Sequence, residues 1–273
     1  MAIETRVLAT EASAKAEQPR SDTQPTIAQP STLDAVRAFG VIYGPSALLD
    51  LLALASVGLT IGRGVARLRG TACSHRAARI MEPLAGLGAA LTAAYVLAGR
   101  PWLRRWGATD DELTRTLPGD DLVPNPAVNS TWSVTINAPA AEVWPWLAQL
   151  GQDRGGFYSY EWLENLAGCQ LRNADRVHPE WQERTAGQMV PLHPAAGLPL
   201  AVFEPGRAYV LEGWGAFVLE SLDEHTTRLI SRTRVPRGLP ALMYVLLTEL
   251  PHFIMQRKML LEIKQLAERA AGG

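Results

Sequence analysis

Cysteine is scarce in this chain of 273 residues. Cys73 and Cys169 are the only two, too few for a disulfide framework and without metal-ligand spacing. Both read as buried or idle thiols, which leaves the redox compartment open. No Gly-Lys-Ser/Thr sequence occurs, which excludes a P-loop, and no Gly-x-Ser-x-Gly occurs, which excludes the nucleophile elbow of an α/β-hydrolase. His178, His193, His225 and His252 have neither His-x-x-x-His spacing nor a paired Asp, so neither a metal site nor a Ser-His-Asp triad is expected. A clustered positive field is also missing. The chain has 26 Lys+Arg against 27 Asp+Glu, with the basic surplus before residue 107 and the acidic surplus after it. An acidic carboxy-terminal part with scattered arginines is not a nucleic-acid surface. Nothing in the sequence calls for a cofactor.

Charge is almost absent from two long runs. Residues 38–62 contain only Asp50, and residues 80–99 contain only Glu82, with Pro83 beside it. A helix needs about 20 apolar residues to cross the hydrocarbon of a bilayer. Both runs are long enough and rich in Gly and Ala, as packed membrane helices are, and neither has a polar face. They predict a membrane hairpin over residues 33–105, and hence a multi-pass protein of the cell membrane. A soluble helical hairpin is the alternative. Five arginines in the connector (Arg63, Arg67, Arg69, Arg76, Arg79) face four on the outer flanks (Arg37, Arg100, Arg104, Arg105). That balance leaves the side of the carboxy-terminal domain undecided. Asp50, at mid-helix, is either a structural polar contact with the second helix or a functional residue. Residues 1–32, rich in Ala, Thr, Gln, Ser and Pro, read as a disordered tail without the pattern of a secretory signal.

Residues 106–129 read as a collar, with a capping box at Thr109 and Glu112 followed by Pro118, Pro124 and Pro126. The domain after it, 130–271, opens with a strand over 131–137 in which Trp132, Val134 and Ile136 alternate with polar residues, predicting one buried face. Pro139 starts a helix carrying Val143, Leu147 and Leu150, with Pro145 inside it. Short β-like runs follow at 188–192, 198–203, 208–211, 216–222 and 227–235. A long apolar-periodic helix over 239–271, bending near Pro251, ends the chain. This order predicts an α+β domain.

The stretch DRGGFYSYEWLENLAG, residues 153–168, raises the question of a site. Glu161 and Glu164 stand at i, i+3 on one helical face and cannot straddle a glycosidic bond as paired glycosidase carboxylates do. They are either a solvated face or include one carboxylate held by an arginine such as Arg232. Phe157, Tyr158, Tyr160 and Trp162 are too many rings for one face of a short helix. Some belong to the core, and some are expected to line a cavity, with the preceding glycines allowing a close chain reversal. On the strand 227–235, Arg228, Arg232 and Arg234 share a face with Ile230. That face is either solvated or turned inward, where Arg232 and Arg234 would need carboxylates or an anionic ligand. His252 is a pocket hydrogen-bonder or a buried amphipathic residue.

Several separated words carry a resemblance: VWPWLAQLGQDRGGFYSYEWLENLAGC, ADRVHPEWQ, TRLISRTR and ELPHFIMQRKMLLEIKQLAE, with RWGATDDEL and LPGDDLVPNP upstream. Together, over about residues 104–269, they resemble a bacterial group within the START-like, or SRPBCC, superfamily, which includes polyketide cyclases. The resemblance implies a helix-grip fold: a curved antiparallel sheet around a long carboxy-terminal helix, with an apolar cavity between them. It implies a hydrophobic small molecule as partner, since superfamily members bind lipids, sterols, polyketides or hormones and a few catalyse cyclisation. It supplies a pocket and not a reaction. The expected ligand-binding residues are therefore Phe157, Tyr158, Tyr160, Glu161, Trp162, Arg232, Arg234 and His252. Three functions follow. One is a membrane-tethered module binding an apolar or amphipathic, lipid-like molecule. The second is a cyclase- or hydrolase-like enzyme using the same cavity. The third is a non-catalytic interaction domain.

Overall fold

A computed structural model describes residues 75–166 and 168–272, together with Gly58. The expected tail (1–32), the expected membrane helix at 38–62 apart from Gly58, Asp50 included, and Cys73 lie outside the described residues.

Helix α1 (His75–Ala94) continues through a π-helical turn (Tyr95–Gly99) into the short helix α2 (Arg100–Arg104). Residues 80–99, expected as one membrane helix, are thus helical throughout but divided. The helix α1 starts within the charged connector, at His75 with Arg76 and Arg79, and the π turn takes the last five residues. Among the described residues no helix is long and apolar enough to cross a membrane. The helix α2 already belongs to the packed domain. Leu103 is buried, and its carbonyl accepts a 2.7 Å hydrogen bond from Trp132 Nε1. Arg100 and Arg104 reach the buried Glu249 at 2.8 and 2.5 Å. The packed unit therefore begins before Trp106, where composition alone put its boundary.

In the collar, helix α3 (Asp110–Thr114) has the expected capping box: Thr109 Oγ1 accepts from Glu112 N, and the Glu112 carboxylate accepts from Thr109 N. Six antiparallel strands follow: β1 (Pro126–Ile136), β2 (Met189–His193), β3 (Ala196–Glu204), β4 (Ala208–Leu211), β5 (Gly215–Ser221) and β6 (Thr227–Pro236). They form one sheet in the order β1-β6-β5-β4-β3-β2. The hairpins β2–β3–β4–β5–β6 place successive strands side by side. The first strand closes the far edge by pairing with the last, Thr131 opposite Arg232.

Trp132, Val134 and Ile136 are buried, as their alternation predicts, but so are Thr131 and Ser133 between them. The sheet is covered on both faces. Helix α4 (Ala140–Ala148) and the long helix α7 (Glu249–Gly272) take one face, with Val143, Leu147, Leu260, Ile263 and Ala267 all at 0 % exposure. Each large aliphatic side chain buried there contributes about 1.5–3 kcal/mol. The collar takes the other face, where Leu117 packs on Val210, Ala216, Val218 and Ile230. Polar alternation in β1 suggested a wet second face; the collar, a separate stretch of chain, makes it dry.

The final helical segment begins with α6 (Leu239–Met243) and passes through a second π turn (Tyr244–Thr248) into α7. The irregularity falls in this turn. Pro251 lies three residues after this turn, and since the helix runs on without a break, its missing N–H falls inside it.

Candidate ligand cavity

Between α7 and the sheet face that α7 does not fill lies a cavity of about 690 Å³. Leu192 and Leu198 wall it from β2 and β3, Val235 and Pro236 from β6, and Trp214 from the β4–β5 turn. Met243, Tyr244 and Thr248 enclose it from α6 and the π turn, Met255 and Met259 from α7, and Phe157 from the loop before helix α5 (Glu161–Leu166). Pro236, Pro240 and Met243 are exposed as well as lining, which puts the mouth beside α6. A mostly apolar wall with a few polar groups is the composition of a small-molecule site.

Those polar groups are unusual in being unpaired. Glu164 Oε2, Trp214 Nε1, Thr233 Oγ1 and Arg234 Nε belong to lining residues, and among the described residues each is a buried atom with no hydrogen-bond partner. His252 Nε2 and Gln256 Oε1 have no partner of hydrogen-bond geometry there, although the two side chains interact. Such atoms are rare in a finished core because an unmade buried hydrogen bond costs about 1–3 kcal/mol. Glu164 is 4 % exposed, and burial with the Glu161 charge nearby pushes its carboxyl up to about 7. His252 is ringed by Trp132, Trp214 and Tyr244, each edge-on at 5.2–6.1 Å. Burial drops its pKa to about 4, so the imidazole is neutral, with Nδ1 3.0 Å from the Tyr244 hydroxyl. Gln256, one turn further along α7, offsets this a little. Its amide nitrogen donates to Ser231 Oγ at 2.9 Å.

Of the expected ligand residues, Phe157, Arg234 and His252 lie on the cavity wall; the other five are elsewhere. Tyr158 is wholly buried, and its hydroxyl accepts from Gln149 Nε2 at 2.7 Å. The glycines before it do permit a tight reversal. Gly156 has φ +73°, and a Cβ on Gly155 would stand 2.8 Å from the Gln149 carbonyl. Trp162 is 64 % exposed, and Tyr160 is half-buried off the wall. Burial separates these two neighbours sharply. Tyr158→Ala is expected to cost about 3–5 kcal/mol, and Trp162→Ala no more than about 0.5 kcal/mol, in thermal melts of the two variants.

Glu161 and Glu164 do not act together. Glu161 Oε1 accepts from Asn173 N at 2.6 Å on the rim of a separate, open polar groove of about 940 Å³, lined also by Arg154, Arg172, Arg176, His178 and Trp181. Arg232 is not an anchor of the cavity. It faces the collar, donating to Asp120 Oδ2 at 2.6 Å, the Arg115 carbonyl at 2.9 Å and the Glu112 carbonyl. Arg234 follows it, donating to the Asp120 and Pro124 carbonyls. Arg228 pairs with Glu112 at 2.6 Å. Although burial alone would raise the Glu112 pKa, the hydrogen bonds from Arg228 hold it below the usual carboxylate range. The arginine face of β6 is thus neither solvated nor turned to the cavity, because the collar supplies its carboxylates. The cavity takes Thr233 and Val235 from the opposite face and also borders Arg234.

Trp214, Thr233, Tyr244, Gln256 and the methionines were not singled out by sequence reasoning. A signal existed for two of them: Thr233 shares the apolar face of β6 with Leu229, and Gln256 is one turn from His252. Cys169 is a free, half-buried thiol pushed up to about 11 by burial and the Glu164 charge. Among the described residues no group of three or more His, Cys, Asp or Glu side chains is placed to hold a metal.

No family model matches the chain, and no curated protein does. Among solved structures, a conserved protein of unknown function from Enterococcus faecalis, EF2215, is similar over 54 % of this chain and 75 % of its own, at 14 % identity and a TM-score of 0.34. A likeness of that size bears on neither family nor function.

Proposed function

We propose that the domain is a helix-grip module of the START-like, or SRPBCC, kind that binds an apolar or amphipathic small molecule, and that the N-terminal segment holds it at a membrane. The cavity of about 690 Å³ carries this reading, since its walls are apolar and its few polar atoms lack partners. Support for the membrane comes from the surface. Leu239, Leu242 and Met243 are exposed beside the mouth, and Leu87, Leu91, Val96 and Leu97 are exposed along α1 and its π turn. Apolar side chains of this size gathered on a surface mark an interaction site.

Solvent extraction of the purified full chain, followed by mass spectrometry, is expected to yield an apolar compound. Leu198→Trp, which narrows the cavity from β3, is expected to fold and to lose it. A folded variant that retains the compound would sink the binding reading. Washing membranes with carbonate is expected to leave the full chain in the pellet; release into the supernatant would defeat the tether.

A second reading, an acid–base enzyme of the cyclase or hydrolase kind, is favoured by Glu164. A dry carboxyl titrating near 7 is suited to general acid catalysis at neutral pH. Conversion of the extracted compound by the wild type but not by Glu164→Gln would select it.

A further inference from the structure

We propose that the cavity takes an amphiphile whose head group is a protonated amine, with the Glu164 carboxylate as its counter-charge, and that it discriminates against anionic amphiphiles. This rests on the binding reading and deepens it to a ligand class. Glu164 is one of two charged residues on the wall. It is 4 % exposed, its Oε2 is buried without a hydrogen-bond partner among the described residues, and no described residue forms an ion pair with it. The charge that acts on it among the described residues is Glu161, of the same sign.

The other charged wall residue, Arg234, is already committed to the collar. It lies 3.1 Å from Asp120 Oδ1, with both terminal nitrogens on main-chain carbonyls and only Nε unpartnered. An anionic head would therefore meet one unpaired carboxylate and a guanidinium whose charge Asp120 already offsets, with only its Nε left to donate. The remaining polar atoms of the wall are neutral: Trp214 Nε1, Thr233 Oγ1, His252 Nε2 and Gln256 Oε1. An ammonium has three donors and no acceptor. Glu164, Thr233 and Gln256 offer it acceptors, and the charged one makes the strongest bond. A hydroxyl head would be met as well by Ser or Asn, without the cost of burying a carboxyl that has no partner.

Proton linkage supplies an independent mark of the pairing. The titratable groups around Glu164 are Glu161 on its own helix, Cys169 just beyond it, His252 and Tyr244 across the cavity, and Arg234 on β6. Near pH 7 the thiol and the phenol stay protonated and the imidazole stays neutral, so Glu164 is the group that changes. Binding an ammonium ionises it and releases its proton.

The experiment titrates the full chain, in a non-ionic detergent, with octylamine, octanol and octanoate. Octylamine is expected to bind about 10- to 100-fold more tightly than octanoate. At pH 7, calorimetry in buffers of different ionisation enthalpy should show proton release on octylamine binding. The near-isosteric Glu164→Gln should keep octanol binding, which reports an intact cavity, and lose both the amine preference and the proton release. Equal binding of all three probes, or a preference that survives Glu164→Gln, overturns the head-group inference while leaving the cavity reading intact. Failure of all three probes to bind overturns both.

Discussion

Asp120→Ala is expected to destabilise the domain by about 3–5 kcal/mol, the loss typical of breaking a buried ion pair from one side. Arg232 has 2 % of its side chain exposed, and Asp120 Oδ2 lies 2.6 Å from it. The same oxygen accepts from Leu117 N at 3.0 Å, and Oδ1 faces Arg234 at 3.1 Å. Without the carboxylate, a dry guanidinium keeps only neutral acceptors: Thr131 Oγ1, the Arg115 carbonyl and the Glu112 carbonyl. The collar would lose its hold on β6. The exposed pair of Arg207 and Glu204, 67 % and 46 % exposed, provides the contrast. Glu204→Ala should cost less than about 1 kcal/mol. Urea unfolding of both variants measures the difference. Equal, small losses would show that the collar does not depend on the buried pair.

Glu164→Gln is expected to stabilise the protein at alkaline pH and to leave it unchanged in acid. The carboxyl titrates near 4.5 when unfolded and about 7 when folded, because burial and the Glu161 charge disfavour its ionised form. The folded state therefore holds this proton more tightly than the unfolded state. The resulting stability is fully present below about pH 4.5 and is lost as pH rises through about 7, a change of about 3 kcal/mol. The amide carries no such linkage. At pH 8 the variant should exceed the wild type by about 2–3 kcal/mol, and below pH 4.5 the two should unfold together. Melting curves at several pH values check this. Parallel pH profiles for the two proteins would mean that Glu164 is not desolvated.

The α+β order and most strand positions were legible in the sequence because local pattern decides them. Hydrophobic alternation at 131–137, the turn at Glu204–Arg207, the capping box at Thr109 and the apolar period after Leu239 each act within a few residues. Those forces operate before any distant part of the chain arrives. The aromatic cluster at 157–162 was visible too, but its division was not. Adjacent residues Phe157 and Tyr158 face the cavity and the core respectively, and Trp162 faces outward. Only the placement of α7 and β6 around that loop separates them.

Long-range contacts also decided the chemistry of the charged residues. The sequence shows three arginines in alternation on β6 and two glutamates at i, i+3, and by itself it determined that each set shares a face. What lies opposite the arginines depends on a segment more than a hundred residues away, while Glu161 finds Asn173 only 12 residues on. The collar brings Glu112 and Asp120 to the arginines, while Glu164 Oε2 has no hydrogen-bond partner among the described residues. Burial is a property of the assembled layers, and so is the lack of a partner for a buried charge. The cavity and its unpaired carboxyl therefore belong to the tertiary structure, because they follow from what α7, the sheet and the collar leave uncovered.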